Sequence, residues 1–187
     1  MTEDLSKLSW VFAHGSLMFD PGFDTAAVLP GRTWGWERRF GQPSVRNWGI
    51  EAAPAPTSSL SRGSHCDGLL LGLPHGRAGS ILASLVQREA GGPTTVTAST
   101  EFGDVPAYTW LMSNAWASLG VEELADRGAA NVMAGGGPRG DAWRYAFGVR
   151  DTLQDHGLED PLVTRYVEAL EPAIAQPGGT LGESPHA

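Results

Sequence analysis

The chain has 187 residues, 41% of them hydrophobic and 18% charged, with a formal net charge of -8. That length can bury a core without disulfide or metal staples, and the acidic balance argues against a nucleic-acid partner, whose phosphates require a basic surface. Cys66 is the single cysteine, which rules out an internal disulfide and fits a reducing compartment.

Met1 to Lys7 lacks the basic-then-apolar pattern of a secretion signal. No stretch reaches the roughly 18 apolar residues of a membrane span. The expectation is therefore a soluble, cytoplasmic protein with no membrane partner. Residues 1–8 read as a lead-in, 9–175 as one domain, and 176–187 as a flexible tail.

In chain order, Leu8 to Ala13 is a short β-prone run that ends at the glycine turn His14-Gly15-Ser16-Leu17. Asp20-Pro21-Gly22 is a second turn, and Trp34 to Phe40 a strand with one polar face. Residues 51–64, rich in Ala, Pro and Ser, read as a loop; Cys66 to Leu73 reads as a buried strand. Ala78 to Glu89 is an amphipathic helix, with Ile81, Leu82, Leu85 and Val86 on one face and Gly91-Gly92-Pro93 ending it. Strands are expected over Thr94–Thr100 and Val105–Met112, then helices over Val121–Met133, Ala142–His156 and Pro161–Ile174. The break Gly135–Gly140 separates the first two helices. Strands first and helices later indicate an α+β domain rather than an alternating βαβ sheet.

The five histidines show no metal-ligand spacing, and one cysteine cannot build a zinc cluster, so no metal is expected. Gly135–Gly140 precedes a helix but no Lys-Ser or Lys-Thr follows it, so it is not a P-loop and reads better as a hinge. Ser16 lies in HGSL rather than G-x-S-x-G, which argues against an esterase nucleophile. Glu89 ends its helix where the macrodipole disfavours negative charge, and partial burial would raise its pKa towards the range of a general acid/base. A helix-end glutamate is nonetheless ordinarily solvated, and Arg88 is a ready surface neighbour.

Together these features resemble one family. Trp10 to Pro21 (WVFAHGSLMFDP) is similar to the opening of ChaC-type γ-glutamylcyclotransferases, which read close to WVFGYGSLMWNP. Arg38 to Ser44, Asp67 to Leu73, Arg88 to Gly92 and Ala134 to Tyr145 resemble further family segments in the same order. The resemblance implies a small mixed β-barrel with peripheral helices, no cofactor, and conversion of a γ-glutamyl compound, foremost glutathione, to 5-oxoproline and a free amine. It implies Glu89 as the catalytic acid/base. The N–H groups of Gly15, Ser16 and Leu17 would cradle the substrate α-carboxylate or the developing oxyanion, with Ser16 a donor. Tyr145 would hydrogen-bond substrate, and Arg39 and Gln42 are lesser pocket candidates.

Four positions depart from the family pattern. His14 and Pro93 replace tyrosines, Ala142 an asparagine and Gly41 a tryptophan. His14 thereby becomes a substrate-site candidate and a second titrating group able to tune the pH profile. The alternatives are a different γ-glutamyl amine or glutathione conjugate as substrate, or a non-catalytic γ-glutamyl-binding module. The sequence is silent on oligomeric state.

Overall fold

The computed structural model describes residues 5–89 and 92–175. The start of the lead-in (1–4), Ala90 and Gly91 of the helix-ending segment, and the tail (176–187) lie outside the described residues.

Five strands close into a barrel in the order β1-β3-β2-β4-β5. They are β1 (Ser9–Ala13), β2 (Ala27–Ser44), β3 (Ala55–Leu73), β4 (Thr94–Thr100) and β5 (Gly103–Thr109). Neighbours are antiparallel except where β5 closes the barrel parallel to β1, at Val11 and Tyr108. The barrel is thus mixed, as the family resemblance implies. Helices α1 (Ala78–Arg88), α2 (Val121–Met133), α3 (Ala142–Asp155) and α4 (Pro161–Ile174) complete the α+β fold.

Alternation along the strands separates two apolar clusters. Trp10, Phe12, Leu60, Leu70 and Ala107 belong to one, while Val11, Ala13, Leu69, Leu71 and Leu73 join the second, which includes the helices. β1 and the end of β3 are therefore buried on both faces, which is why they read as unbroken apolar runs.

The stretch expected as a loop is the main correction to the sequence reading. From Ala55 onward it is strand, and Ala55 to Leu60 are buried. Its small residues are not turn formers here. They sit in the middle of a long β2–β3 ribbon, where Ser58 meets the Tyr145 side chain of α3. β2 likewise runs well beyond Trp34–Phe40, whereas β5 ends at Thr109, short of Met112.

The glycine-rich break is no hinge. Gly135, Gly136 and Gly140 have positive φ, and a Cβ on Gly137 would lie 2.6 Å from the Asn47 carbonyl. Glycine permits both features, and the turn packs against residues 47–49. Asn131 locks the same region: its side-chain amide donates to the carbonyls of Trp48 and Ala53 and accepts from the N–H of Ala142. Asp160 caps α4 by accepting from the N–H of Leu162 and Val163.

Candidate active site

Four elements deliver side chains to one small cavity of about 60 Å³. β1 ends at Ala13 and releases His14 and Gly15 into a single 3-10 turn over Ser16–Met18. α1 brings Glu89 at its C-cap, α3 brings Tyr145, and the middle of β3 brings Ser58. Asn47, Trp48 and Trp110 complete much of the wall. Of the residues singled out in the sequence, His14, Gly15, Ser16, Leu17, Glu89 and Tyr145 all line this cavity.

Arg39 and Gln42 do not. Arg39 pairs with Glu37 and faces a separate groove of about 550 Å³ beside Trp116 and Arg165. Gln42 belongs to neither lining, and its side-chain oxygen is buried without a hydrogen-bond partner among the described residues. The larger groove shares no residue with the Glu89 cavity.

Burial dominates the electrostatics of Glu89. Its side chain is only 15% exposed, and loss of solvent raises its pKa above the ordinary carboxylate value, against the attraction of Arg88 and Arg139. Arg88 is no surface neighbour either: it is 11% exposed. Its Nη1 donates to the carbonyls of Asp20 and Pro21 at 2.8 and 3.0 Å, and its Nη2 to Ser16 Oγ at 3.2 Å. Nε lies 3.1 Å from Glu89 Oε1, yet neither atom makes a hydrogen bond among the described residues. Burial lowers the pKa of this guanidinium, and nearby Arg139 adds to that, against the pull of Glu89 and Asp20. Arg88 thus ties the carboxylate to the turn while leaving it free to accept a proton.

Tyr145 explains why residue 15 is glycine. A Cβ there would lie 2.5 Å from the phenol oxygen and 3.2 Å from Ser58 Cβ. The phenol accepts from the backbone N–H of Ser58 at 2.8 Å, so its own proton is free to donate. Burial raises its pKa, which keeps that proton in place. Edge contacts with Phe19 and Trp48, at centroid distances of 6.1 and 5.2 Å, hold the ring.

The cradle is narrower than three donors. Within the turn, Met18 N–H bonds to the Gly15 carbonyl and the N–H groups of Phe19 and Asp20 to that of Ser16. Ser16 N–H is turned towards the Tyr145 oxygen, whose pKa it lowers. Those of Gly15 and Leu17 have no acceptor among the described residues.

His14 does not titrate near neutrality. It is buried, with Nδ1 2.8 Å from Ser58 Oγ, and desolvation together with the Arg38 charge lowers its pKa to about 4. The imidazole is neutral over the physiological range, which overturns the expectation that it tunes the pH profile there. Pro93 is not part of the cavity wall, and Ala142 is buried at the start of α3.

Ser58, Arg88 and Arg38 were missed in the sequence. Arg88 stands beside Glu89 in the family-like segment, a signal masked by the expectation that arginines at helix ends face water. Ser58 lay in the presumed loop. Among the described residues no group of three His, Cys, Asp or Glu side chains could hold a metal, and no helix is long and apolar enough to cross a membrane.

Solved structures share this architecture. A γ-glutamyl cyclotransferase specific to glutathione from yeast matches with a TM-score of 0.79 at 17% identity, covering 88% of this chain and 96% of that one. A second γ-glutamyl cyclotransferase structure matches with a TM-score of 0.54 at 15% identity, over 96% and 95% of the two chains. The fold is that of the γ-glutamyl cyclotransferases. Residues 9–176 match the ChaC-like protein family, and the chain belongs to it. The glutathione-specific γ-glutamylcyclotransferase of Escherichia coli (strain K12) is 27% identical over 182 residues, 90% of this chain and 79% of that protein.

Proposed function

We propose that this protein is a γ-glutamylcyclotransferase acting on glutathione, releasing 5-oxoproline and Cys-Gly. The observation that carries this reading is Glu89, a half-buried carboxylate with a raised pKa that opens onto the same cavity as the Gly15–Leu17 turn. The activity of the bacterial relative supports the choice of substrate.

The substrate brings its own nucleophile. Its α-amine closes a five-membered ring on the γ-carbonyl, an intramolecular attack favoured once the chain is held folded. The α-ammonium loses two protons in becoming the lactam N–H, and the departing nitrogen gains two in leaving as an ammonium. Glu89 shuttles them, first as base and then as acid. No water is consumed.

The N–H groups of Gly15 and Leu17 hold the substrate α-carboxylate. The Tyr145 hydroxyl donates to the γ-carbonyl oxygen as charge develops there. Neutral His14 adds no positive charge against the incoming ammonium.

The test is to incubate the chain with glutathione and a panel of γ-glutamyl amines and to quantify 5-oxoproline and glutamate. Equal amounts of 5-oxoproline and Cys-Gly from glutathione are expected. Free glutamate would mean hydrolysis and overturn the cyclisation. Turnover of the other γ-glutamyl amines alone would overturn the substrate.

A further inference from the structure

Arg38 lines no part of the cavity, yet every nitrogen of its guanidinium is committed close behind it. Nε donates to the His14 carbonyl at 3.0 Å, Nη2 to the Asp67 carbonyl at 2.6 Å, and Nη1 to Asp160. The side chain is 1% exposed. Asp160 is itself fixed, because its other carboxylate oxygen caps α4. Ser58 Oγ donates to the same His14 carbonyl at 3.0 Å. One carbonyl oxygen therefore receives two donors, one of them a buried cation.

That carbonyl and the Gly15 N–H are opposite ends of one planar trans peptide group, so they point in opposite directions. Fixing the oxygen towards Arg38 and Ser58 aims the N–H the other way, and Gly15 lines the cavity. A peptide oxygen that accepts from a cation also polarises the group, which strengthens donation from its N–H. That N–H has no acceptor among the described residues.

We propose that Arg38 is a positioning residue for substrate binding: with Ser58 it orients and polarises the Gly15 N–H that receives the substrate α-carboxylate. This rests on the reaction proposed above and adds to it a residue that never touches substrate. Arg38 also joins the barrel to α4, and kinetics separate that structural role from the proposed one. The α-carboxylate carries its charge in both ground and transition states, so a weaker donor raises KM and leaves kcat alone. A purely structural defect lowers the fraction of active molecules, which reduces kcat and leaves KM alone.

The experiment compares full-length wild type with Arg38→Lys and Ser58→Ala, measuring 5-oxoproline release from glutathione and, with Glu89→Gln added to each so that glutathione is not consumed, glutathione binding by calorimetry. Arg38→Lys is expected to raise KM and the dissociation constant about 10-fold, and Ser58→Ala about 3-fold, with kcat within about twofold. Should Arg38→Lys not fold, Ser58→Ala carries the test, since it deletes one hydroxyl. A fall in kcat at constant KM, or unchanged binding in a folded variant, would overturn the proposal. Absence of 5-oxoproline from wild type would instead overturn the reaction, while the binding measurement still decides whether Arg38 supports recognition.

Discussion

Two arginines, Arg38 buried and Arg88 partly buried, flank the turn after β1, and they are handled in opposite ways. Arg38, behind the turn, meets two backbone carbonyls and the Asp160 carboxylate. Burial works against its charge, but the attraction of Cys66 and Asp160 leaves its pKa raised overall. Arg88, in front of the turn, is ion-paired with the Glu89 carboxylate at 3.1 Å without a hydrogen bond to it, and its pKa is lowered, chiefly by burial. The rear is satisfied and serves as scaffold. At the front, Arg88 Nε and Glu89 Oε1 have no hydrogen-bond partner among the described residues, where the proposed reaction needs a proton to come and go.

Substitutions can break this division. Glu89→Gln on the unsatisfied side is expected to lower kcat about 10²–10⁴-fold, the usual worth of a general acid/base. The same variant should gain stability at neutral pH. The folded chain holds the Glu89 proton more tightly than the unfolded chain, so this group's contribution to stability falls as pH rises from the ordinary value of 4.5 through the raised folded one. Glu89→Gln should then melt higher than wild type at pH 7, with the difference closing below pH 4.5. A lower melting temperature at pH 7 would show that Glu89 is a structural partner of Arg88.

Gly15→Ala falls on the seam between front and rear. The new methyl would lie 2.5 Å from a buried phenol oxygen that cannot easily retreat. The expected cost is about 1–3 kcal/mol in denaturant unfolding, together with loss of activity. Wild-type stability would mean that Tyr145 moves freely and does not set the turn.

The smallest effect belongs to the satisfied side. His14→Phe should leave the shape of the pH–rate profile unchanged above about pH 5, because the imidazole, with a pKa of about 4, is already neutral there. A limb that disappears near pH 6.5 would assign His14 a titrating role.

These contrasts also mark what was legible in the sequence. The later helices fell where the sequence placed them, as in α4 over Pro161–Ile174. The turn and Glu89 were readable because the family-like segments occur in order. Ala55 to Leu60 were misread because small residues resemble loop composition, while their real use is to admit Tyr145 across a β-ribbon. Arg38 and Arg88 each stand next to a residue that was named, Arg39 and Glu89. In the first pair the more exposed neighbour was named, because strand alternation sends adjacent side chains to opposite faces and the sequence did not say which face was buried. The burial of Arg88 depends on the Asp20 and Pro21 carbonyls, 67 or more residues away in the chain.

The most direct test of Glu89 as the proton carrier is the acid limb of kcat/KM for 5-oxoproline release. The account predicts a limb at a pH above the ordinary glutamate value of 4.5, moving higher still in Arg88→Met, which removes an attraction that lowers the Glu89 pKa. A limb at or below 4.5, or one that Arg88→Met leaves in place, would contradict it.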